Sequence, residues 1–262
     1  MSIIKRRSRT RRRSKLERIE VKKTEPQSSC KTGSCALKRA PKISKKGPDT
    51  CETCPPPVRK KKGKTQYIVK DTFFFDAKRL GYRARSAFKL LEIQEQLHII
   101  EPGMQVLDLA SAPGSWLQVI AKVVGPTGRV IGVDLQKIEA LGYPNVHLMV
   151  GDVLIPAPIV EFLGSLGVKR VDLLTSDIAP STTGHKGVDQ YRSVELNLAI
   201  LDLADIFLKK GGTLVLKVFV GEDVDDLIGP IKTRYKTLSR TKPKACRDRS
   251  FEEYFVCMGK LG

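Results

Sequence analysis

The sequence predicts a doubly wound α/β fold with a mostly parallel sheet, preceded by a separate basic extension. Two observations carry the fold: short, near-continuous apolar runs alternate with helix-compatible stretches, and most of those runs lead into an aspartate. Apolar strands separated by helices are the pattern of a parallel sheet covered on both faces. A third observation separates the extension: residues 1–64 hold 22 Lys+Arg against 5 Asp+Glu, leaving 25 against 23 in the rest.

The extension, 1–64, reads RRSRTRRRSK and continues in Ser, Thr, Pro and Lys clusters with almost no aromatics. Too little apolar surface is available there to offset the entropy of ordering, so a disordered arm is expected, with the folded domain at 65–262. Such an arm neutralises phosphates and releases counterions without reading sequence. A merely solubilising tail is the alternative. Cys30, Cys35, Cys51 and Cys54 lie in it and superficially supply four thiolates for a zinc site. Only Cys51 and Cys54 form a C-x-x-C pair, so reduced thiols or redox pairing compete with zinc. Residues 1–4 are too short for a signal-peptide core and no run approaches the ~18 apolar residues of a membrane span. A cytoplasmic protein with no membrane association is expected.

In the folded part, 84–97 lacks Gly and Pro and sets Phe88, Leu91, Glu92 and Glu95 at helical spacing, so a helix is expected there, stopped by Pro102-Gly103. Strands are expected at 104–109, 129–135, 146–150, 171–176 and 212–219, with helices at 115–124, 159–166 and 188–209 between them. A last strand, 252–258, is expected antiparallel to its neighbour.

In such folds ligands bind beyond the carboxyl ends of the strands. The first four strands lead into Asp108, Asp134, Asp152 and Asp177, and the fifth contains Lys217. A dinucleotide site would follow the first strand with G-x-G-x-x-G. Here the turn is LDLASAPGSW, with one glycine, Gly114, and a carboxylate beside it. A pyrophosphate would be repelled, whereas a cationic ligand would not. S-adenosylmethionine is such a ligand: its sulfonium and ammonium suit Asp108, its ribose diol Asp134 and its adenine amine Asp152. Any one of these aspartates alone reads equally as a helix or turn cap. Four in register indicate a methyltransferase class without indicating a substrate.

Lys217 sits inside LVLKVFV, where an unpaired ammonium costs several kcal/mol to bury. Either it snorkels to water or partners hold it, the candidates being Lys89, Asp177 and Glu252. Singly, these read as a solvated helix residue, a loop cap and a strand-edge charge. Lys78, Arg79, Arg83 and Arg85 precede Lys89, and Arg240, Lys242, Lys244, Arg247 and Arg249 precede Glu252. Cations on both flanks would draw phosphates to the site.

Taken in order, YRARSAFKL, LDLASAPGSW, VIGVDL, GDV, SDIAP, LKVF and RDRSFEEYFV resemble the FtsJ-like (RrmJ-type) ribose 2'-O-methyltransferases of large-subunit ribosomal RNA, over about residues 66–259. The resemblance implies a Rossmann-like class I fold with a seven-stranded, mostly parallel sheet, and S-adenosylmethionine as cofactor. It implies a Lys-Asp-Lys-Glu tetrad, falling on Lys89, Asp177, Lys217 and Glu252, with Lys217 the proton acceptor. It places methyl-donor contacts on Gly114, Trp116, Asp134, Asp152 and Asp177. Glu253 competes with Glu252, but the S-x-E-x-aromatic spacing prefers Glu252 and strand alternation turns Glu253 to the opposite face. The expected substrate is a uridine ribose in the large ribosomal subunit, met by a monomeric enzyme. Transfer RNA or a messenger cap as target, and a ribosome-assembly factor acting by RNA binding, are the alternatives.

Overall fold

The structure, a computed structural model, describes residues 72–247 and 250–262. The extension 1–64, its boundary with the folded domain, the zinc candidates Cys30, Cys35, Cys51 and Cys54, and the flanking Arg249 lie outside the described residues.

The chain runs α1 (Thr72–Arg79), α2 (Ala87–Leu97), β1 (Gln105–Leu109), α3 (Ser115–Val124), β2 (Arg129–Asp134), β3 (Val146–Val150), α4 (Pro156–Ser165), β4 (Val171–Ser176), α5 (Lys186–Phe207), β5 (Leu208–Phe219), α6 (Val224–Arg234), β6 (Tyr235–Thr241) and β7 (Glu252–Lys260). Seven strands form one sheet in the order β3, β2, β1, β4, β5, β7, β6. The first five pair in parallel, and β7 inserts antiparallel between β5 and β6. The expected Rossmann-like, mostly parallel sheet is therefore present, including the antiparallel final strand.

Alternation along the strands sorts side chains between two apolar layers. Leu107, Leu174 and Leu216 pack with Ile159, Leu201, Phe207 and Ile231 of α4, α5 and α6. Val106, Val130, Leu173 and Val215 pack with Leu90 and Ile93 of α2 and Leu117 and Ile120 of α3. Each fully buried Leu or Ile contributes about 1.5–3 kcal/mol. The same alternation places Asp108, Thr175, Lys217 and Tyr254 on the α2/α3 side, two residues along from Val106, Leu173, Val215 and Val256.

Five elements depart from expectation: α1, α2, α5, α6 and β6. The helix expected over 84–97 begins at Ala87, and α1 stands ahead of it. Helix α5 ends at Phe207, so Leu208–Gly211 extend β5 instead of the helix. Helix α6 and strand β6 were not expected: α6 carries Gly229 and Pro230, and β6 reads YKTLSRT, an exposed edge strand without an apolar face. Acidic Asp225 and Asp226 in the first turn of α6 and basic Lys232 and Arg234 in its last suit the helix dipole.

Candidate active site

The crevice begins where β1 hands over to α3. Ala110 and Gly114 both adopt positive φ, 58° and 100°, and Gly114 caps the helix. A Cβ on Gly114 would lie 3.3 Å from Arg83 Nη1, Ile138 and Leu141, so both backbone conformation and space call for glycine. Arg83, expected as a free flanking cation, is a latch: Nη1 donates to the Pro113 carbonyl (2.9 Å) and Nη2 to the Ala140 carbonyl (2.8 Å). Trp116 is buried, its indole N–H donating to the Ser86 carbonyl at 2.9 Å. Its ring ties α3 to the start of α2, and the Trp116 main-chain N–H lies in the first turn of α3, where helix amides have no intrahelical partner.

The strand-end aspartates behave differently from one another. Asp134, last in β2, accepts from the Ala112 amide at Oδ2 and the Gln136 amide at Oδ1, both 2.8 Å, and so shapes the turn after β1. Asp152 is half-buried and accepts from the Leu154 amide at 2.9 Å. The neighbouring Gly151 amide donates to the Asp134 carbonyl, holding the two carboxylate-bearing loops together. Asp108 corrects its expected placement: it lies within β1, one residue before the end, and is 1% exposed. Oδ1 accepts from the Thr175 hydroxyl at 2.6 Å, and Oδ2 has no partner among the described residues. Burial pushes the carboxyl up to about 8 against the opposing Thr175 bond, and the Asp177 and Asp134 carboxylates add to the rise.

Four of the expected residues meet in two ion pairs. Lys217, 9% exposed on β5, donates to the Asp177 main-chain carbonyl and lies 3.1 Å from Asp177 Oδ1. Lys89, 7% exposed on α2, lies 2.7 Å from Glu252 Oε1 on β7. Burial raises the Glu252 carboxyl, but the Lys89 hydrogen bond and charge outweigh it; with the Cys246 thiol and the Lys217 charge they hold it below the ordinary range. Glu253 faces the other way and pairs with Arg240 at 2.9 Å.

Tyr254 joins the two pairs. Its hydroxyl donates to Asp177 Oδ1 at 2.7 Å, and its ring lies 5.6 Å from Lys89 Nζ and 5.7 Å from the Trp116 ring. Sequence reasoning missed Tyr254, although its place two residues after Glu252 puts it on the same strand face. Cys246 was also missed; burial, then the Glu252 carboxylate, push its thiol up to about 12, so it remains a donor. A surface cavity lined by Ile228, Tyr235 and Leu238 lies apart from the tetrad and includes none of its residues.

The family model described as FtsJ-like methyltransferase matches residues 82–260. The chain belongs to the FtsJ-like methyltransferase family. It is an enzyme that uses S-adenosylmethionine as methyl donor. The Ribosomal RNA large subunit methyltransferase E of Alkalilimnicola ehrlichii is 43% identical over 189 residues, 72% of this chain and 90% of that protein. The protein of the same name from Nitratidesulfovibrio vulgaris is 42% identical over 194 residues, 74% of this chain and 96% of its own length. The crystal structure of a Plasmodium falciparum ribosomal RNA methyltransferase superposes with a TM-score of 0.62 at 29% identity, covering 69% of this chain and all of that one.

The FtsJ-like residues fit the donor on this structure's own terms. Asp108, Asp134 and Asp177 are close enough for the latter two to raise the first, and Asp108 Oδ2 is orphaned. A cluster of carboxylates with one unpartnered oxygen is relieved by a cation, and a sulfonium with an ammonium supplies two.

Proposed function

We propose that this chain transfers a methyl group to the 2'-hydroxyl of a uridine ribose in large-subunit ribosomal RNA. The observation that carries the reading is the meeting of the pairs Lys217–Asp177 and Lys89–Glu252 around Tyr254, beside the Gly114 turn. S-adenosylmethionine, when bound, supplies an electrophilic methyl; Gly114, the Trp116 amide, Asp134, Asp152 and Asp177 are the residues that would hold it. Lys217 takes the proton of the 2'-hydroxyl as that oxygen bonds to the methyl carbon and the methyl–sulfur bond breaks, the sulfur leaving as a neutral thioether. Asp177 fixes the lysine by its carbonyl and carboxylate, and Tyr254 fixes Asp177. Lys89 and Glu252 line the other side, where they orient the ribose. General base work of this kind contributes about 10²–10⁴-fold, and orientation of the two reactants contributes further.

The relatives named for the ribosomal large subunit support this substrate over transfer RNA or a cap. The exposed cations Lys242, Lys244 and Arg247 on the loop before Glu252 suit phosphates flanking the target nucleotide of an RNA substrate. No helix among the described residues is long and apolar enough to cross a membrane. The reading has the enzyme act as a monomer in the cytoplasm, with the cations of 1–64 gripping ribosomal RNA. Mapping of 2'-O-methyl groups in cells with and without the protein tests it. Loss of one uridine methylation in large-subunit RNA is expected; loss confined to transfer RNA or caps overturns the reading.

A further inference from the structure

The parallel ladder between β4 and β5 stops before β5 does. Its last pair is Ser176 with Leu216, while β5 continues through Lys217 to Phe219. Continued in register, Ile178 would stand opposite Val218. Its amide would donate to the Lys217 carbonyl and its carbonyl would accept from the Phe219 amide, since one residue of a parallel strand bridges two on its neighbour. The chain has already left the sheet at Asp177, yet neither β5 group is orphaned. Asn197 Nδ2 donates to the Lys217 carbonyl at 2.9 Å, and Ser193 Oγ accepts from the Phe219 amide at 3.0 Å. Both side chains come from α5, four residues and about one helical turn apart, so they lie on one face.

We propose that Ser193 and Asn197 are positioning residues for Lys217, replacing the missing β4 backbone with a side-chain donor and acceptor. This inference rests on the functional reading above. Its consequence is geometric: β5 stays extended past the end of β4, which carries Lys217 to the point where its Nζ donates to the Asp177 carbonyl. Two further observations support it. Asn197 is fully buried at 0% and Ser193 at 1%, on a helix face that begins with buried Asp189 and continues in apolar Ile200, Leu201 and Ala204, where Leu or Ala would avoid desolvating polar atoms. Asn197 Nδ2 also donates to the Ser193 carbonyl at 2.7 Å and reaches the Ser193 hydroxyl oxygen at 3.4 Å, which ties the two side chains together. Asn197 Oδ1 is left with no partner among the described residues. An amide with one idle end is held in the core for what its other end does.

The test uses the full chain carrying Asn197→Leu or Ser193→Ala, with Ile159→Val in the α4 core as a stability control. Wild type must first transfer methyl to undermethylated large ribosomal subunits; failure there sinks the functional reading and not this one. Given that activity, Asn197→Leu is expected to lower kcat on the order of 10- to 100-fold, with KM for RNA and donor within about twofold, as for a misplaced catalytic group. Ile159→Val, which creates a small core defect away from β5, is expected to keep kcat. Ser193→Thr, which retains the acceptor oxygen, is expected to recover the activity lost in Ser193→Ala. Hydrogen exchange gives an independent reading on folded protein: the Phe219 amide is expected to lose protection in Ser193→Ala while the Val215 amide keeps it. Unchanged kcat in Asn197→Leu, or unchanged protection of Phe219 in Ser193→Ala, overturns the inference.

Discussion

Replacing Asp108 by Asn should change how stability depends on pH, with a sign and size that follow from its burial. The carboxyl sits at about 8 in the folded protein against an ordinary 3.8, chiefly because burial disfavours its charge. The folded chain therefore keeps a proton that the unfolded chain loses. The stability this group contributes is fully present below about 3.8 and drains away as the pH rises towards 8. Between those limits the slope is about 1.4 kcal/mol per pH unit, so wild type loses roughly 3 kcal/mol between pH ~5 and ~7 through this site. Asn retains an oxygen for the Thr175 hydroxyl and carries no charge at any pH, so the variant lacks that slope. Urea unfolding of both proteins across this range should show the variant gaining on wild type by about that amount. Saturating S-adenosylmethionine should narrow the gap, because a bound cation stabilises ionised Asp108. A difference between the two proteins that stays constant from pH ~5 to ~7 would refute the reasoning, since it would mean that Asp108 ionises alike in both states.

Gly114→Ala places a side chain at φ 100° with three atoms at 3.3 Å. A loss of about 1–3 kcal/mol is expected by thermal unfolding, with weaker donor binding by calorimetry. Glu252→Gln leaves Lys89 buried without a counter-charge and should destabilise by about 3–5 kcal/mol while lowering methyl transfer. Glu253→Gln removes the partner of Arg240 in a part-exposed surface pair and should cost at most about 1 kcal/mol with activity kept; equal effects of the two substitutions would refute the assignment of faces.

Much of the sheet could be read directly from the sequence because its parallel strands are short, near-continuous apolar runs set off by helix-compatible stretches. Val146–Val150 and Val171–Ser176 were expected residue for residue. The elements that escaped are those whose structure comes from neighbours rather than from their own pattern. Strand β6 is polar because it lies at the sheet edge, and its pairing is supplied by β7. Helix α6 tolerates Gly229 and Pro230 because Leu227 and Ile231 are buried against the sheet. The site shows the same division. The acidic strand ends and Lys217 stand out as charges in apolar surroundings, and alternation alone separates Glu252 from Glu253. Pairing across the sheet is a different matter: Tyr254 reaches Asp177 from 77 residues away, and Asn197 reaches Lys217 from another layer. Arg83 was read as a cation for phosphates because sequence shows its charge and not the two carbonyls that occupy it.

The central claim is that Lys217 accepts the ribose proton during methyl transfer to ribosomal RNA. The most direct measurement is single-turnover transfer of labelled methyl from S-adenosylmethionine to undermethylated large ribosomal subunits, comparing wild type with Lys217→Ala and mapping the modified nucleotide. One labelled uridine 2'-oxygen is expected with wild type, and with the variant a rate at least about 10²-fold lower despite retained donor binding. Methyl transfer by Lys217→Ala at the wild-type rate would contradict the claim.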